Sequence, residues 1–195
     1  MSLLEHNYSA LIVSASAAIN EALGTLMPRS RYAPVHTAGD LSTAKRCCAD
    51  RTYDLVIINS PLPDDAGIRF AIDLCHDSPA AVLLLVPSDA HEEIRERVLA
   101  HGVFTLPRPL SKNMLSLALH WMLSARERFR KTERQTLSIE EKMKEIRLVN
   151  RAKWLLISEL QMTEPEAHRY IEKKAMDESI TRKEVAGQII RTYAV

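Results

Sequence analysis

The chain has 195 residues, 46% hydrophobic and 26% charged, a composition typical of a soluble globular protein with one or two domains. No basic stretch precedes a long apolar run near its start, and no apolar stretch could span a bilayer, so neither a signal peptide nor a membrane segment is predicted. The net charge is +1, but residues 1–125 contain 10 Lys and Arg against 13 Asp and Glu, whereas residues 126–195 contain 16 against 12. The basic carboxyl-terminal part favours an anionic partner.

Candidate ligands and nucleophiles are few. The three cysteines, Cys47, Cys48 and Cys75, are odd in number and lack metal-ligand spacing, which indicates a reducing, cytoplasmic location. The seven histidines are scattered. We therefore predict no metal site, no cofactor and no catalytic residue, and an enzyme is the least favoured class of protein.

The first part of the chain alternates short apolar runs with amphipathic stretches. Strands are predicted at residues 9–13, 54–58, 81–86 and 103–106, with a weaker one at 32–36. Helices are predicted near residues 17–27, 40–50, 66–76 and 90–101. Continuous apolar strands that alternate with helices predict a parallel sheet covered on both faces.

The second part is predicted to be helical. Residues 110–163 contain neither proline nor glycine, which predicts one long helix with possible breaks. Thr163 and Glu166 have the spacing of a capping box with proline in the first turn, and Thr181 and Glu184 repeat that spacing. Two further helices are expected to begin at these threonines.

Residues 8–124 resemble the receiver domain of response regulators in the order of their elements. After the strand at 54–58, Pro63 and Gly67 keep the family spacing, and Leu-Pro-Arg-Pro at 106–109 is similar to the end of its fifth strand. The resemblance implies an α/β, flavodoxin-like fold with a five-stranded parallel sheet, and we assign residues 1–124 to it.

The positions that carry receiver chemistry hold other residues. Asn59 replaces the acceptor aspartate, and Ser14 and Ala15 replace the acidic pair. Val86 stands where the family has Thr or Ser, and Arg108 where it has Lys. Phosphorylation of a receiver needs a carboxylate nucleophile and carboxylate oxygens for a divalent cation. The resemblance therefore implies a pseudo-receiver that is not phosphorylated.

Two explanations remain open for the polar residues at this site. Asn59, Ser14 and Arg108 could form an altered ligand pocket, but hydrogen-bonded polar groups at the carboxyl edge of the sheet are the favoured explanation. Asp64 and Asp65 offer carboxylates in place of the missing acids, but their position in a turn before a helix predicts capping.

A series of apolar and small residues runs along the predicted long helix at alternating spacings of three and four, the pattern of a heptad seam: Leu115, Ala118, Met122, Ala125, Phe129, Thr132, Thr136, Ile139, Met143 and Ile146. Near residues 115–122 the seam is expected to pack on the protein's own sheet. Beyond Phe129 no other segment is available to cover it. We therefore predict a coiled-coil helix over residues 125–147 and a parallel homodimer.

Residues 148–195 resemble the ANTAR domain, the RNA-binding module of bacterial antitermination regulators. Blocks at 150–156, 162–167, 170–177, 184–186 and 189–190 carry the resemblance. It implies a dimer that binds hairpins in nascent leader transcripts and keeps a terminator from forming. A three-helix bundle is predicted with this core: Leu155, Leu156, Leu160, Ala167, Tyr170, Ile171, Val185, Ile189 and Ile190.

The candidate RNA-binding residues are basic. Arg151 and Lys153 fall within the resemblance, and charge alone adds Lys173, Arg182, Lys183 and Arg191. For Trp154 we expect a place in the core or between domains rather than a base-stacking role. Two other functions remain open: a DNA-binding response regulator, and a protein-interaction adaptor that binds no nucleic acid. A partner protein could control the receiver-like domain.

Overall fold

The computed structural model describes residues 7–193. The first part of the chain alternates strands with helices, and between Lys112 and Tyr193 every element is a helix. The strands are β1 (Tyr8–Val13), β2 (Tyr32–Ala38), β3 (Leu55–Asn59), β4 (Ala81–Pro87) and β5 (Phe104–Arg108). The helices are α1 (Ala17–Leu26), α2 (Leu41–Asp50), α3 (Ile68–Asp77), α4 (His91–Leu99), α5 (Lys112–Leu160), α6 (Glu164–Asp177) and α7 (Arg182–Tyr193).

The five strands form one parallel sheet in the order β2-β1-β3-β4-β5. Each strand is followed by a helix, as parallel neighbours require a crossover connection. Residues of β3 and β4 are buried almost throughout, because helices cover both faces of the sheet. The predicted five-stranded, flavodoxin-like fold is confirmed.

Two apolar clusters fill the two sides of the sheet. On one side, Val56 and its strand neighbours pack against α2, α3 and α4, which contribute Phe70 and Ile94. On the other side, Ile57 and its neighbours pack against α1 and the beginning of α5, which contributes Leu119 and Met122. The prediction that the first turns of the long helix cover the protein's own sheet is therefore confirmed.

Gly67 directly precedes α3 and has a left-handed backbone, with φ 74°. A Cβ atom at this position would lie 3.0 Å from Cγ2 of Ile58, so a side chain would be both strained and crowded. The glycine eight residues after Asn59 therefore serves the local fold, whether or not the domain is phosphorylated.

Helix α5 is continuous over 49 residues, as its lack of proline and glycine predicts. It begins after Ser111, whose Oγ accepts a hydrogen bond from the backbone N–H of Met114, and it ends at Leu160, just before Gln161, which has φ 56°. The chain divides into two compact units after Lys131, within this helix. Among residues 7–193 no helix combines the length and the apolar character that crossing a bilayer requires.

A buried ion-pair network joins α5 to the sheet inside the first unit. Asp54, just before β3, accepts hydrogen bonds from the backbone N–H and Oγ of Ser9 at 2.9 and 3.1 Å. Its other carboxylate oxygen accepts from Nε of Arg126 at 2.8 Å and from a guanidinium nitrogen of Arg130 at 3.2 Å. Burial raises the pKa of Asp54, but the hydrogen bonds from Ser9 and Arg126 and the Arg126 charge outweigh it and hold the pKa below its usual value.

The second unit is a three-helix bundle made by the end of α5 together with α6 and α7. Its buried core consists of small and aliphatic residues: Ala152, Leu156, Ala167, Ile171, Ala175, Val185, Ala186 and Ile189. Both predicted capping boxes are present, since Glu166 accepts from the backbone of Thr163 and Glu184 from that of Thr181, each at 2.8 Å.

Candidate nucleic-acid interface and the altered receiver site

The carboxyl edge of the sheet brings Asn59 and Ser14 together. Asn59 ends β3 and is only 6% exposed, and its Nδ2 donates a hydrogen bond to Oγ of Ser14 at 3.1 Å. Ser14 follows the neighbouring strand β1, and its Oγ also accepts from the backbone N–H of Ser16 at 3.1 Å. An amide and a hydroxyl thus lie where a receiver would need carboxylates, and neither group carries the negative charge that a divalent cation requires.

The other three residues predicted at this site, Val86, Arg108 and Ala15, have different surroundings. The Arg108 guanidinium donates to the carbonyl oxygen of Ser60, the residue after Asn59. Val86 is fully buried in the apolar cluster on the α2, α3 and α4 side of the sheet, whereas Ala15 is exposed. Arg108 therefore binds the backbone beside Asn59, and Val86 supplies apolar packing and no hydroxyl.

The two acidic residues after β3 bind backbone N–H groups. Asp64 accepts hydrogen bonds from the N–H groups of Leu41 and Ser42 at 2.8 and 3.0 Å, and these bonds hold the pKa of its carboxyl below the usual value. Asp65 accepts from the N–H of Gly67 at 2.6 Å. Asp64 thus caps α2 rather than the helix that follows it. Within residues 7–193 no group of three or more His, Cys, Asp or Glu side chains is arranged to hold a metal ion.

The cysteines of the receiver-like unit are weak candidates for chemistry. Burial raises the pKa of Cys48 and of Cys75 to about 11, and Cys47 next to Cys48 contributes to its shift. Both are therefore protonated at neutral pH, and a thiol is a poor nucleophile.

The core of the helical bundle differs from the predicted core at five positions: two predicted residues lie outside it, and it contains three alanines that were not predicted. Leu160 and Tyr170 were expected inside, but they are 41% and 38% exposed. The interior instead contains Ala152, Ala175 and Ala186, which let the three helices approach closely. The helical period predicted correctly which face of each helix packs inside the bundle. On those faces, however, alanines rather than the large residues Leu160 and Tyr170 are buried.

The candidate RNA-binding residues fall into two groups. Arg151, Lys173, Lys183 and Arg191 are exposed. Two others form ion pairs: Lys153 Nζ lies 2.7 Å from a carboxylate oxygen of Glu164, and Arg182 lies 3.7 Å from Glu145 and 4.0 Å from Glu172. The Lys153 side chain is only 17% exposed, so its charge is much less available to a phosphate than that of Arg151.

A groove of about 690 Å³ lies on the surface of the bundle, beside Leu148 of α5 and along α7. Lys183, Gly187 and Arg191 follow each other along α7 at intervals of four residues and line this groove. The two cations are among the RNA-binding residues predicted from the sequence, whereas Gly187 is not, although the four-residue spacing places all three on one face of a helix.

Trp154 lies on the surface. It is 71% exposed, so the expectation of a place in the bundle core is wrong. Its neighbours Ala152 and Leu156 are buried in that core, and a helix that buries these positions turns Trp154 outwards. The spacing of the apolar residues predicts that Trp154 is exposed. The expectation of burial followed the size of the indole instead.

The predicted seam of α5 is exposed along its second half in the single chain. Phe129, Ile139, Met143 and Ile146 are 43%, 59%, 49% and 58% exposed. Thr132 and Thr136 are exposed as well, and the Thr136 hydroxyl donates to the carbonyl oxygen of Thr132 within the helix. An apolar row this long on a solvent-exposed helix is a candidate protein contact.

Comparison with solved structures identifies the fold of the first unit. The receiver domain of an HD domain-containing protein from Pseudomonas fluorescens matches with a TM-score of 0.58 and 23% identity, over 67% of this chain and 97% of that one. The chemotaxis response regulator CheY4 of Vibrio cholerae matches with a TM-score of 0.53 and 21% identity, over 60% of this chain and 99% of that one. The first unit thus has the receiver fold.

Comparison with protein families identifies the second unit, because residues 138–190 match the family model of the ANTAR domain. This chain joins a receiver-like domain to an ANTAR domain. The match includes the end of α5, all of α6 and most of α7, so it covers the helical bundle described above, which we call the ANTAR domain on the basis of this match.

A full-length relative has a similar sequence. The transcriptional regulatory protein PdtaR of Mycobacterium tuberculosis is 28% identical over 182 residues, which cover 93% of this chain and 89% of the relative. The similarity thus extends through the receiver-like domain, α5 and the ANTAR domain together.

Proposed function

We propose that this protein is an RNA-binding transcription antitermination regulator, which acts as a dimer and without phosphorylation. The observation that carries the proposal is the match of residues 138–190 to the ANTAR domain, whose bundle exposes several basic residues. The similarity to a transcriptional regulatory protein along nearly the whole chain supports an ANTAR-type regulator. The proposed ligands are hairpins in nascent leader transcripts, which the protein would meet in the cytoplasm.

The charge of the ANTAR domain supports binding to nucleic acid. Arg151, Lys173, Lys183 and Arg191 are exposed, and the last two line the groove of about 690 Å³ along α7. Contacts between such cations and phosphates supply affinity for any nucleic acid. A hairpin adds unpaired loop bases that side chains can read, which is why we favour RNA over duplex DNA.

The exposed seam of α5 supports a dimer. A second copy of the helix would cover Phe129, Ile139, Met143 and Ile146, as expected for a parallel coiled coil. A dimer presents two ANTAR domains, and two linked sites gain affinity for a pair of hairpins through effective concentration. We propose that a leader transcript held in this way is kept from forming its terminator.

The contacts at the sheet edge support independence from phosphorylation. Asn59 replaces the carboxylate nucleophile and binds Ser14, and Asp64 and Asp65 are engaged by backbone N–H groups. No acidic pair follows β1, where Ser14 and Ala15 stand. A signal would therefore reach the domain by another route, and binding of a partner protein is the route we propose.

Binding of the full-length protein to hairpin RNA with a randomised loop tests the proposal, with unrelated duplex DNA as competitor. We expect selection of a subset of loops, and affinity that falls steeply with salt. Arg151→Ala should weaken binding, whereas Arg69→Ala, which removes an exposed cation from α3, should not. Equal affinity for the duplex would favour a DNA-binding regulator, and absence of binding to either would favour a protein-interaction adaptor.

A further inference from the structure

One face of α5 within the ANTAR domain points away from the bundle core. Its residues are Arg147, Asn150, Arg151, Trp154 and Ser158, and we call it the Trp154 face. All five are exposed, and they follow each other at the three- and four-residue spacings that place side chains side by side on a helix. Helical side chains lean towards the preceding turn, which for Trp154 is the turn with Asn150 and Arg151.

The composition of the Trp154 face is unusual for a solvated surface. It contains two arginines, an amide, a hydroxyl and a large aromatic ring, and it contains no acidic residue. Lys153, Lys174 and Arg182 elsewhere in the ANTAR domain form ion pairs with glutamates. Within residues 7–193, by contrast, no ion pair is formed by Arg147 or Arg151. A negatively charged partner is the one that this surface complements.

Four of the five residues of the Trp154 face lie off the predicted dimer seam, and only Asn150 falls on its continuation. Beyond Ile146, the three-and-four spacing of the seam reaches Asn150 and Lys153, both polar. Lys153 is moreover paired with Glu164 of α6. The apolar part of the seam thus ends at Ile146, and a second copy of the helix would have no continuous apolar row to offer Trp154.

We propose that Trp154 stacks on an unpaired base of the RNA that the ANTAR domain binds, while Arg147 and Arg151 contact the phosphates on either side of that base. An aromatic ring between cations is the combination with which proteins bind unstacked nucleotides, because every base has a π-face and every linkage a negative charge. This inference rests on the proposed function. It adds to that function one residue that contacts a base, Trp154, and it specifies that the base is unpaired.

Three substitutions at Trp154 in the full-length protein test the stacking. With hairpin RNA selected from the randomised-loop pool, Trp154→Ala should weaken binding by about 5- to 150-fold, the range measured for loss of a stacked base. Trp154→Leu keeps an apolar side chain but has no ring, and it should lose as much. Trp154→Phe should recover most of the affinity. The slope of affinity against salt should stay the same in all three, because no phosphate contact is removed.

Fluorescence gives an independent readout, because the chain has two tryptophans and the other, Trp121, lies in the part of α5 that belongs to the receiver-like unit. In Trp121→Phe, where Trp154 alone emits, addition of the hairpin should quench the emission. In Trp154→Phe, where Trp121 alone emits, it should not. Stacking is expected to quench only the ring that contacts the base.

The outcomes separate this inference from the proposed function. Salt-dependent binding of the wild-type protein with unchanged affinity in Trp154→Ala and Trp154→Leu overturns the stacking and leaves RNA binding in place. No binding by the wild-type protein overturns both. If Trp154→Ala becomes monomeric in sedimentation and loses binding for that reason, Trp154 contacts the second copy of the chain, and the stacking is likewise refuted.

Discussion

Replacing Asp54 with asparagine should destabilise the receiver-like domain strongly. The side chains of Asp54 and Arg126 are only 13% and 10% exposed, and Arg130 at 15% contacts the same carboxylate oxygen. Removing one partner of a buried ion pair costs about 3–5 kcal/mol when it leaves a charge uncompensated, and here Glu127, whose carboxylate lies 2.9 Å from the Arg130 guanidinium, still offsets part of the positive charge. Asparagine keeps an oxygen that accepts hydrogen bonds, so we expect a loss of about 3 kcal/mol and a fall in melting temperature of about 10 °C.

The assay is thermal and urea unfolding of the full chain, followed by circular dichroism, with Asp73→Asn as matched control. Asp73 pairs with Arg69 on α3, but there the side chains are 45% and 83% exposed. Such a surface pair contributes at most about 0.5–1 kcal/mol. If Asp54→Asn is no more destabilised than Asp73→Asn, the network does not hold α5 to the sheet in the way the contacts suggest.

The same substitution has a pH dependence of known sign. The pKa of Asp54 in the folded protein is below its usual value, so the carboxylate stabilises the fold above the unfolded pKa of about 3.9. That contribution is lost as the pH falls through the folded pKa. The gap in unfolding free energy between the wild-type protein and Asp54→Asn should therefore narrow below about pH 4. A gap of constant size would mean that the charge of Asp54 is not its source.

The remaining predictions concern phosphorylation, assembly and RNA contacts. Acetyl phosphate with magnesium should add no mass to the protein, because Asn59 is no nucleophile, and a stable phosphoryl increment lost in Asp64→Asn would contradict this. The double substitution Ile139→Asp with Met143→Asp should give a monomer in sedimentation, since a dimer would bury four carboxylates. A wild-type protein that is monomeric at micromolar concentration would refute the predicted dimer. Arg151→Ala should flatten the salt slope of RNA binding by somewhat less than one unit, whereas Lys153→Ala should change it less because Glu164 already pairs that lysine. Equal changes in slope would refute this distinction.

The sequence predicted the structure best where an element depends on residues close to one another along the chain. The continuous apolar runs of β3 and β4 predicted buried central strands, and the absence of proline and glycine predicted α5. The capping boxes at Thr163 and Thr181 located two helix starts, because their chemistry is local. Each of these features depends on residues that are close together along the chain, so it can be recognised in the sequence.

Contacts between distant segments could not be predicted in this way. Nothing in the sequence marks Asp54 as the partner of Arg126, 72 residues away, or Lys153 as the partner of Glu164. Asp64 was expected to cap a helix, but only the structure shows that it caps α2, 22 residues before it. Trp154 was misplaced because its size favoured burial, whereas its helical phase decided its exposure.

Crosslinking in cells, followed by sequencing of the bound RNA, tests the central claim most directly. If the protein is an antitermination regulator, the crosslinked reads should concentrate in leader transcripts, at paired hairpins that overlap a terminator, and Arg151→Ala should deplete them. Reads spread over abundant RNAs without such hairpins, or a signal on chromosomal DNA in place of RNA, would contradict the account.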